Sequence, residues 1–167
     1  YYYSKYIYLK KYNYFLTNRI VTKSDIKILK SIKPTLDNTI INNRLNKQSE
    51  GTAEFLLLEV NKNPVGFVLL KWDGKPTHPE YPDIEDLYIK EGFRRKGFGT
   101  LMIKECEQRA KNRGCMKIGL AVNQKNNARA KIFYERLGYK HDGQATYVDG
   151  VYEGSDDWVI DLEKNLK

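Results

Sequence analysis

The chain has 167 residues, which suits one domain with a sizeable buried core. Its 41% hydrophobic and 30% charged content is that of an ordinary soluble globular protein, and no apolar run approaches the roughly 20 residues that span a bilayer. The net charge of +8 admits an anionic ligand, nucleic acid or an anionic membrane, but the cations are spread along the chain and cluster only at Lys10 and Lys11 and at Arg94, Arg95 and Lys96.

Residues 1–13 form a tyrosine-rich extension, and residues 14–167 read as one domain without repeat or linker. Tyr1, Tyr2, Tyr3, Tyr6, Tyr8, Tyr12 and Tyr14 account for seven of thirteen tyrosines. Tyr6 and Tyr8 alternating with Ile7 and Leu9 are compatible with a strand. A tail covering apolar surface and an aromatic-basic tract that stacks bases are the other readings. Residues 15–21 suit a first strand. Thr22 to Asp25 suit a helix start with Ile26, Leu29 and Ile32 inward, ended by Pro34. Residues 36–48 suit a second amphipathic helix, with Ile40, Ile41 and Leu45 apolar. The apolar runs 54–60 and 65–72 flank Asn61-Lys62-Asn63-Pro64 and read as a hairpin. Residues 73–82, with Gly74, Pro76, Pro79 and Pro82, read as loop.

Residues 83–100 hold the strongest local signal. Ile84, Leu87, Tyr88 and Ile89 suit a buried strand. After a basic turn, Phe98, Leu101, Met102 and Cys106 mark one face of a helix running from about Gly97 to Arg113, closed by Gly114. A helix start offers free N–H groups and partial positive charge, so it favours phosphate. The spacing is neither that of a nucleotide P-loop nor of a dinucleotide fingerprint, because Met102 stands where a third glycine would fall. Residues 117–122 suit another buried strand. Asn126 or Asn127 caps a helix carrying Ala130, Phe133, Tyr134 and Leu137 on one face, ended by Gly138. Tyr139 begins a further strand, residues 143–157 read as a loop or irregular hairpin, and residues 158–162 are the last strand. Cys106 and Cys115 have no histidine at ligand spacing, so no metal is expected. Reduced thiols and the lack of a secretion pattern point to a cytoplasmic protein.

Arg94, Gly97 and Gly99 fit an Arg/Gln-x-x-Gly-x-Gly/Ala pattern. Asn127, Ala130, Phe133, Tyr134, Gly138 and Tyr139 fit a second, Asn-x-x-Ala-x-x-Phe/Leu-Tyr-x-x-x-Gly-Phe/Tyr. With both in this order, the chain resembles the GCN5-related N-acetyltransferase (GNAT) superfamily, strongly over residues 83–140 and more weakly over 14–82. The resemblance implies an α/β (α+β) fold. Its central sheet would be mixed and mostly antiparallel, with six to seven strands and about four helices, splayed between strands 4 and 5. It implies acetyl-CoA as co-substrate, with the backbone of Leu87, Tyr88 and Ile89 beside the pantetheine. The diphosphate would lie on the N–H groups of Arg95, Lys96, Gly97, Phe98, Gly99 and Thr100, with Arg94 in the same coenzyme-binding motif, and Asn127 would bond the coenzyme arm. The Ile89 amide would polarise the thioester.

Tyr134 matches the family's general acid; read from the residues alone, it is a helix-face core aromatic, and the resemblance reverses that reading. Glu85 is the candidate base, against a carboxylate paired to a lysine, with His78 as rival. On an alternating strand Glu85 would share its face with Leu87 and Ile89 and oppose Asp86. The implied activity is N-acetylation of a small primary amine, such as a polyamine or aminoglycoside, by direct attack. Glu80, Asp83, Glu85 and Asp86, and later Asp149, Glu153, Asp156 and Asp157, could attract such a cation. A protein N-terminal or lysine acetyltransferase and a non-catalytic acetyl-CoA module are the alternatives. No nucleic-acid or membrane partner is expected, and a homodimer is compatible with the resemblance.

Overall fold

The computed structural model describes residues 5–9 and 14–167. The tyrosine-rich expectations for residues 1–4 and 10–13 lie outside the described residues. The strands in chain order are β1 (Lys5–Leu9), β2 (Tyr14–Ile20), β3 (Ala53–Val60), β4 (Asn63–Lys71), β5 (Asp83–Ile89), β6 (Lys117–Val122), β7 (Lys140–His141), β8 (Tyr147–Tyr152) and β9 (Ser155–Asn165). The helices are α1 (Ile26–Ile32), α2 (Asn38–Ser49), α3 (Phe98–Asn112) and α4 (Ala128–Arg136). Among the described residues, no helix is long and apolar enough to cross a membrane.

One sheet joins the strands in the order β1-β2-β3-β4-β5-β6-β9-β7, with β8 paired to β9. All described pairings are antiparallel except β5 with β6. The expected mixed, mostly antiparallel fold with four helices is present, with more strands than six or seven. The surplus comes from β1 in the tyrosine-rich stretch and from β8, whose glycine and acidic residues read as loop. Because β1 precedes it, the strand counted fourth in the sequence is β5.

Residues 55–58 of β3 and 65–70 of β4 carry no polar side chain because both faces of the centre are covered. Alternate residues enter two cores. Leu56, Leu58, Val68 and Leu70 meet Phe98, Met102 and Cys106 of α3. Phe55, Leu57, Phe67 and Leu69 meet Leu29 of α1 and Ile41 and Leu45 of α2. Ile40, expected on the same apolar stripe, is instead exposed. Asp37 caps α2, its carboxylate accepting the Thr39 N–H at 2.6 Å.

β5 and β6 are neighbours only through Asp83 beside Gly119 and Ile84 beside Leu120. Past those pairs the two strands have no partner in each other. The sheet opens there, and this opening positions the site.

Candidate active site

A cleft of about 1050 Å³ begins where β5 and β6 part. On β5, Phe67 of β4 faces Tyr88 and Leu69 faces Glu85. Asp86 and Leu87 together therefore oppose Val68, a β-bulge, with Asp86 at a left-handed φ of 48°. The bulge resets the alternation. Glu85 and Tyr88 lie opposite residues of the α1–α2 core, while Leu87 and Ile89 pack on the α3 core. The expectation that Glu85 shares a face with Leu87 and Ile89, and opposes Asp86, fails for this reason. Glu85 and Asp86 instead border one pocket.

The bulge leaves a usable strand edge. The Lys90 N–H donates to the Val65 carbonyl at 2.7 Å. Strand alternation then turns the Ile89 amide and carbonyl away from β4, toward the gap. Arg94 Nε donates to that carbonyl at 2.7 Å, and the Arg94 guanidinium lies 5.1 Å from the Tyr88 ring centroid.

The turn into α3 follows. Arg95 and Gly97 have φ of 61° and 85°, conformations that curl successive amides into a concavity. α3 then starts with no side-chain cap and no acidic residue in its first turn, so the first N–H groups are open to an anion. Leu87, Tyr88, Ile89, Arg94, Arg95, Gly97, Phe98, Gly99, Thr100 and Asn127 all line the cleft. Lys96 is not among the lining residues; its ammonium stands 5.8 Å from the Phe93 ring centroid. Asn127 caps α4, its Oδ1 accepting the Ala130 N–H at 3.2 Å, which leaves its NH₂ group free of that role. Arg129 and Arg136, which sequence reasoning missed, also line the cleft. Their seven-residue spacing, two helical turns, was the available signal.

Tyr134 stands at the inner end. Its ring centroid lies 5.0 Å from that of Phe133 and 6.0 Å from that of Tyr139. Burial, with Cys106 and Asp86 adding to it, holds the hydroxyl well above the usual phenol range, so it keeps its proton at neutral pH. Tyr134 packs against the core and also borders both the cleft and a second pocket.

That second pocket, about 260 Å³, is lined by Glu85, Asp86, Asp149 and Asp157 against one cation, Lys75. The first cleft has the opposite balance: Lys33, Arg94, Arg95, Arg129 and Arg136 against Asp86 and Asp157. Asp86 is held by Lys33 at 3.2 Å and Arg44 at 2.8 Å. Glu85 pairs with Lys71 at 3.2 Å and is 38% exposed. Glu80, Glu153 and Asp156 border neither cavity. Asp83 is buried beside Lys75, 3.8 Å away.

His78 borders neither cavity; its ring nitrogens meet Glu80 at 3.0 Å and Asp142 at 2.7 Å. His78, Asp142 and Asp161 bring ligand-type atoms within 4.8 Å of one another. The Lys75 ammonium, 3.0 Å from Asp161, already supplies a cation there.

The class these features define is an open mixed sheet with an anion-ready turn at the splay. The acetyltransferase (GNAT) family model matches residues 25–139, more than half of the chain, and the chain belongs to that family. An uncharacterized N-acetyltransferase of Methanocaldococcus jannaschii is 35% identical over 88 residues, covering 52% of this chain and 38% of that protein. The match thus spans well under two thirds of the relative. Among solved structures, yncA of Salmonella typhimurium, solved with its cofactor acetyl-CoA, superposes with a TM-score of 0.71 at 16% identity, covering 91% of this chain and 94% of that one. Spermidine N-acetyltransferase of Vibrio cholerae, in complex with CoA and spermine, gives 0.71 at 17% identity over 90% and 95%. At these identities the likeness is one of fold.

Proposed function

We propose that this chain transfers an acetyl group from acetyl-CoA to a small primary amine carrying more than one positive charge, by direct attack and without an acyl-enzyme. The observation that carries the reading is the position of Tyr134, whose ring borders both a basic cleft and an acidic pocket. A donor rich in phosphate suits the first, and a polycation such as a polyamine or aminoglycoside suits the second.

The residues fit acetyl-CoA on structural grounds. A Cβ built on Gly97 meets nothing within 4 Å and one on Gly99 meets only ordinary contacts, so the space over the turn is open. Bound there, acetyl-CoA supplies an activated acyl carbon. The amides from Arg95 to Thr100 would grip the diphosphate, and the cations at the rim would offset its charge. The open edge at Leu87 and Ile89 would pair with the pantetheine as an added strand. The Ile89 N–H, aimed into the gap, would stabilise charge on the thioester oxygen. Asn127 would bond the coenzyme arm. Tyr134, protonated, would protonate the leaving sulfur. Asp86 and Glu85 would add negative potential for the incoming ammonium.

Support comes from the family, from the two electrostatically opposite cavities, and from fold neighbours solved with acetyl-CoA and with CoA and spermine. The test is free-thiol release from acetyl-CoA with a panel of polyamines, aminoglycosides and lysine peptides, with the product confirmed by mass. Tyr134→Phe is expected to lower kcat by about 10²-fold or more with acetyl-CoA affinity unchanged. Tight acetyl-CoA binding without turnover on any amine would favour a non-catalytic binding module. Unchanged turnover in Tyr134→Phe would remove the acid role.

A further inference from the structure

The acetyl-transfer reading leaves one proton unaccounted for. A primary ammonium must lose a proton before its nitrogen can attack, and four carboxylates line the pocket where it would sit. Three of them are already engaged. Asp86 carries Lys33 and Arg44, Glu85 carries Lys71, and Asp157 accepts from the Asn123 amide at 2.7 Å. Asp149 makes no hydrogen bond or ion pair among the described residues.

Its placement is built into the hairpin. Val148 faces Trp158 and Val151 faces Asp156, so Asp149 and Gly150 together oppose Asp157. This is a second β-bulge, with Gly150 at a φ of 100°, a conformation in which any side chain would be strained. A regular two-residue alternation through Tyr147–Tyr152 would not carry this slip. Two bulges thus border one pocket, one at Asp86 on β5 and one at Asp149 on β8. Bulges re-aim side chains, and here each contributes a carboxylate to the pocket that Tyr134 also lines.

Resting on the acetyl-transfer reading, we propose that Asp149 is the catalytic residue that binds the acceptor's ammonium and takes its proton. The N–H bond breaks and the proton passes to an Asp149 carboxylate oxygen, then to water. The freed lone pair forms the N–C bond to the thioester carbon, and the C–S bond breaks. Tyr134 gives its proton to the sulfur and recovers one from the nitrogen, which becomes the neutral amide nitrogen. One acetylated amine, one thiol and one proton to water result from one ammonium and one thioester.

The surroundings suit the task. The groups facing Asp149 are Lys75 before β5, Glu85 and Asp86 on β5, Tyr134 on α4, and Asp157 and Asp161 on β9. Partial burial raises the Asp149 carboxyl above its ordinary value; Lys75 pulls it back, and the charges of Glu85, Asp157 and Asp161 push it up again. The residue is open to solvent, so the proton has an exit.

The test compares the full chain with Asp149→Asn, Asp149→Glu and Glu85→Gln. It uses spermidine as acceptor at saturating acetyl-CoA, over a pH range from about 6 to 10. Asp149→Asn is expected to lower kcat about 10²-fold near neutrality. The deficit should shrink as rising pH frees the amine without help, and Asp149→Glu should restore part of the rate. A defect of packing alone would not carry that pH dependence. Acetyl-CoA should protect Asp149→Asn against heat as it protects the parent. Asp149→Asn within about two-fold of the parent kcat overturns the assignment, as does a pH-dependent loss in Glu85→Gln that Asp149→Asn lacks. A parent chain that releases no thiol with any amine sinks the acetyl-transfer reading itself, a different result from an active parent matched by Asp149→Asn.

Discussion

The two halves of the proposed site, one for the acetyl donor and one for the acceptor, are made of different materials. The donor half is mostly backbone: the open edge of β5, the left-handed turn at Arg95 and Gly97, and the uncapped start of α3. The acceptor half is mostly side chains, brought together from β5, α4 and the β8–β9 hairpin. A backbone site can bind the one ligand a family shares with little regard to which side chains surround it. A side-chain site can be rebuilt residue by residue for a new substrate. On the proposed reading, the common chemistry and the particular acceptor are thereby separated within one chain.

That contrast breaks most severely at Lys75, which anchors the acceptor wall. Its buried ammonium lies 3.0 Å from Asp161 and 3.8 Å from Asp83, and Asp161 also accepts from Tyr147 at 2.6 Å and Thr77 at 2.7 Å. Lys75→Met leaves two buried carboxylates without their cation and is expected to cost about 3 kcal/mol or more, read as the urea midpoint. Asp83 is already held well above the usual carboxyl range, by burial first, with Lys75 opposing. A carboxyl raised in the folded state contributes stability that is present at low pH and lost as pH rises through its folded value. The Lys75→Met deficit should therefore shrink on acidification. An equal deficit at pH about 5 and about 8 would mean the carboxylates are not the cause.

The donor half is tested by smaller changes at its glycines. Gly97→Ala places a Cβ in open space but at a φ of 85°, and is expected to cost about 1 kcal/mol of stability and to raise KM for acetyl-CoA rather than for the amine. Gly99→Ala meets Phe133 only at an ordinary 3.5 Å and should keep full stability, showing any loss in acetyl-CoA affinity alone. Neither variant changing that affinity would mean the turn is not the cradle.

The same contrast governs what the sequence could reveal. The donor half lies largely within residues 83–100, and glycine, arginine and helix periodicity declare themselves locally. The acceptor half draws on positions 75, 85, 86, 134, 149 and 157, which only the sheet topology makes neighbours. Both bulges were invisible to a period-two reading. Asp86 looked like a residue facing away from Glu85, and Asp149 looked like one more acid in a polar loop. The hint available was the residue type, since aspartate and glycine are the kinds that tolerate left-handed backbone at a slip in register. The position of Tyr134 at the cleft and against the core was legible for another reason: its motif and its apolar helix face coincide.

The smallest expected effect is at His78, which sits outside both cavities. Burial lowers its imidazole, but the hydrogen bonds to Asp142 and then Glu80 outweigh that and raise it above the ordinary histidine value. A histidine raised in the folded state stabilises fully below its unfolded value and loses that contribution as pH climbs through the folded one. His78→Gln should therefore lower Tm at pH about 5.5 and leave it nearly unchanged at pH about 8.5. Its kcat should match the parent at both, since the ring reaches neither Tyr134's cleft nor the acidic pocket. A loss of kcat with unaltered Tm would bring His78 into the chemistry. The line between a structural histidine and a catalytic acceptor wall would then have to be redrawn through the loop preceding β5.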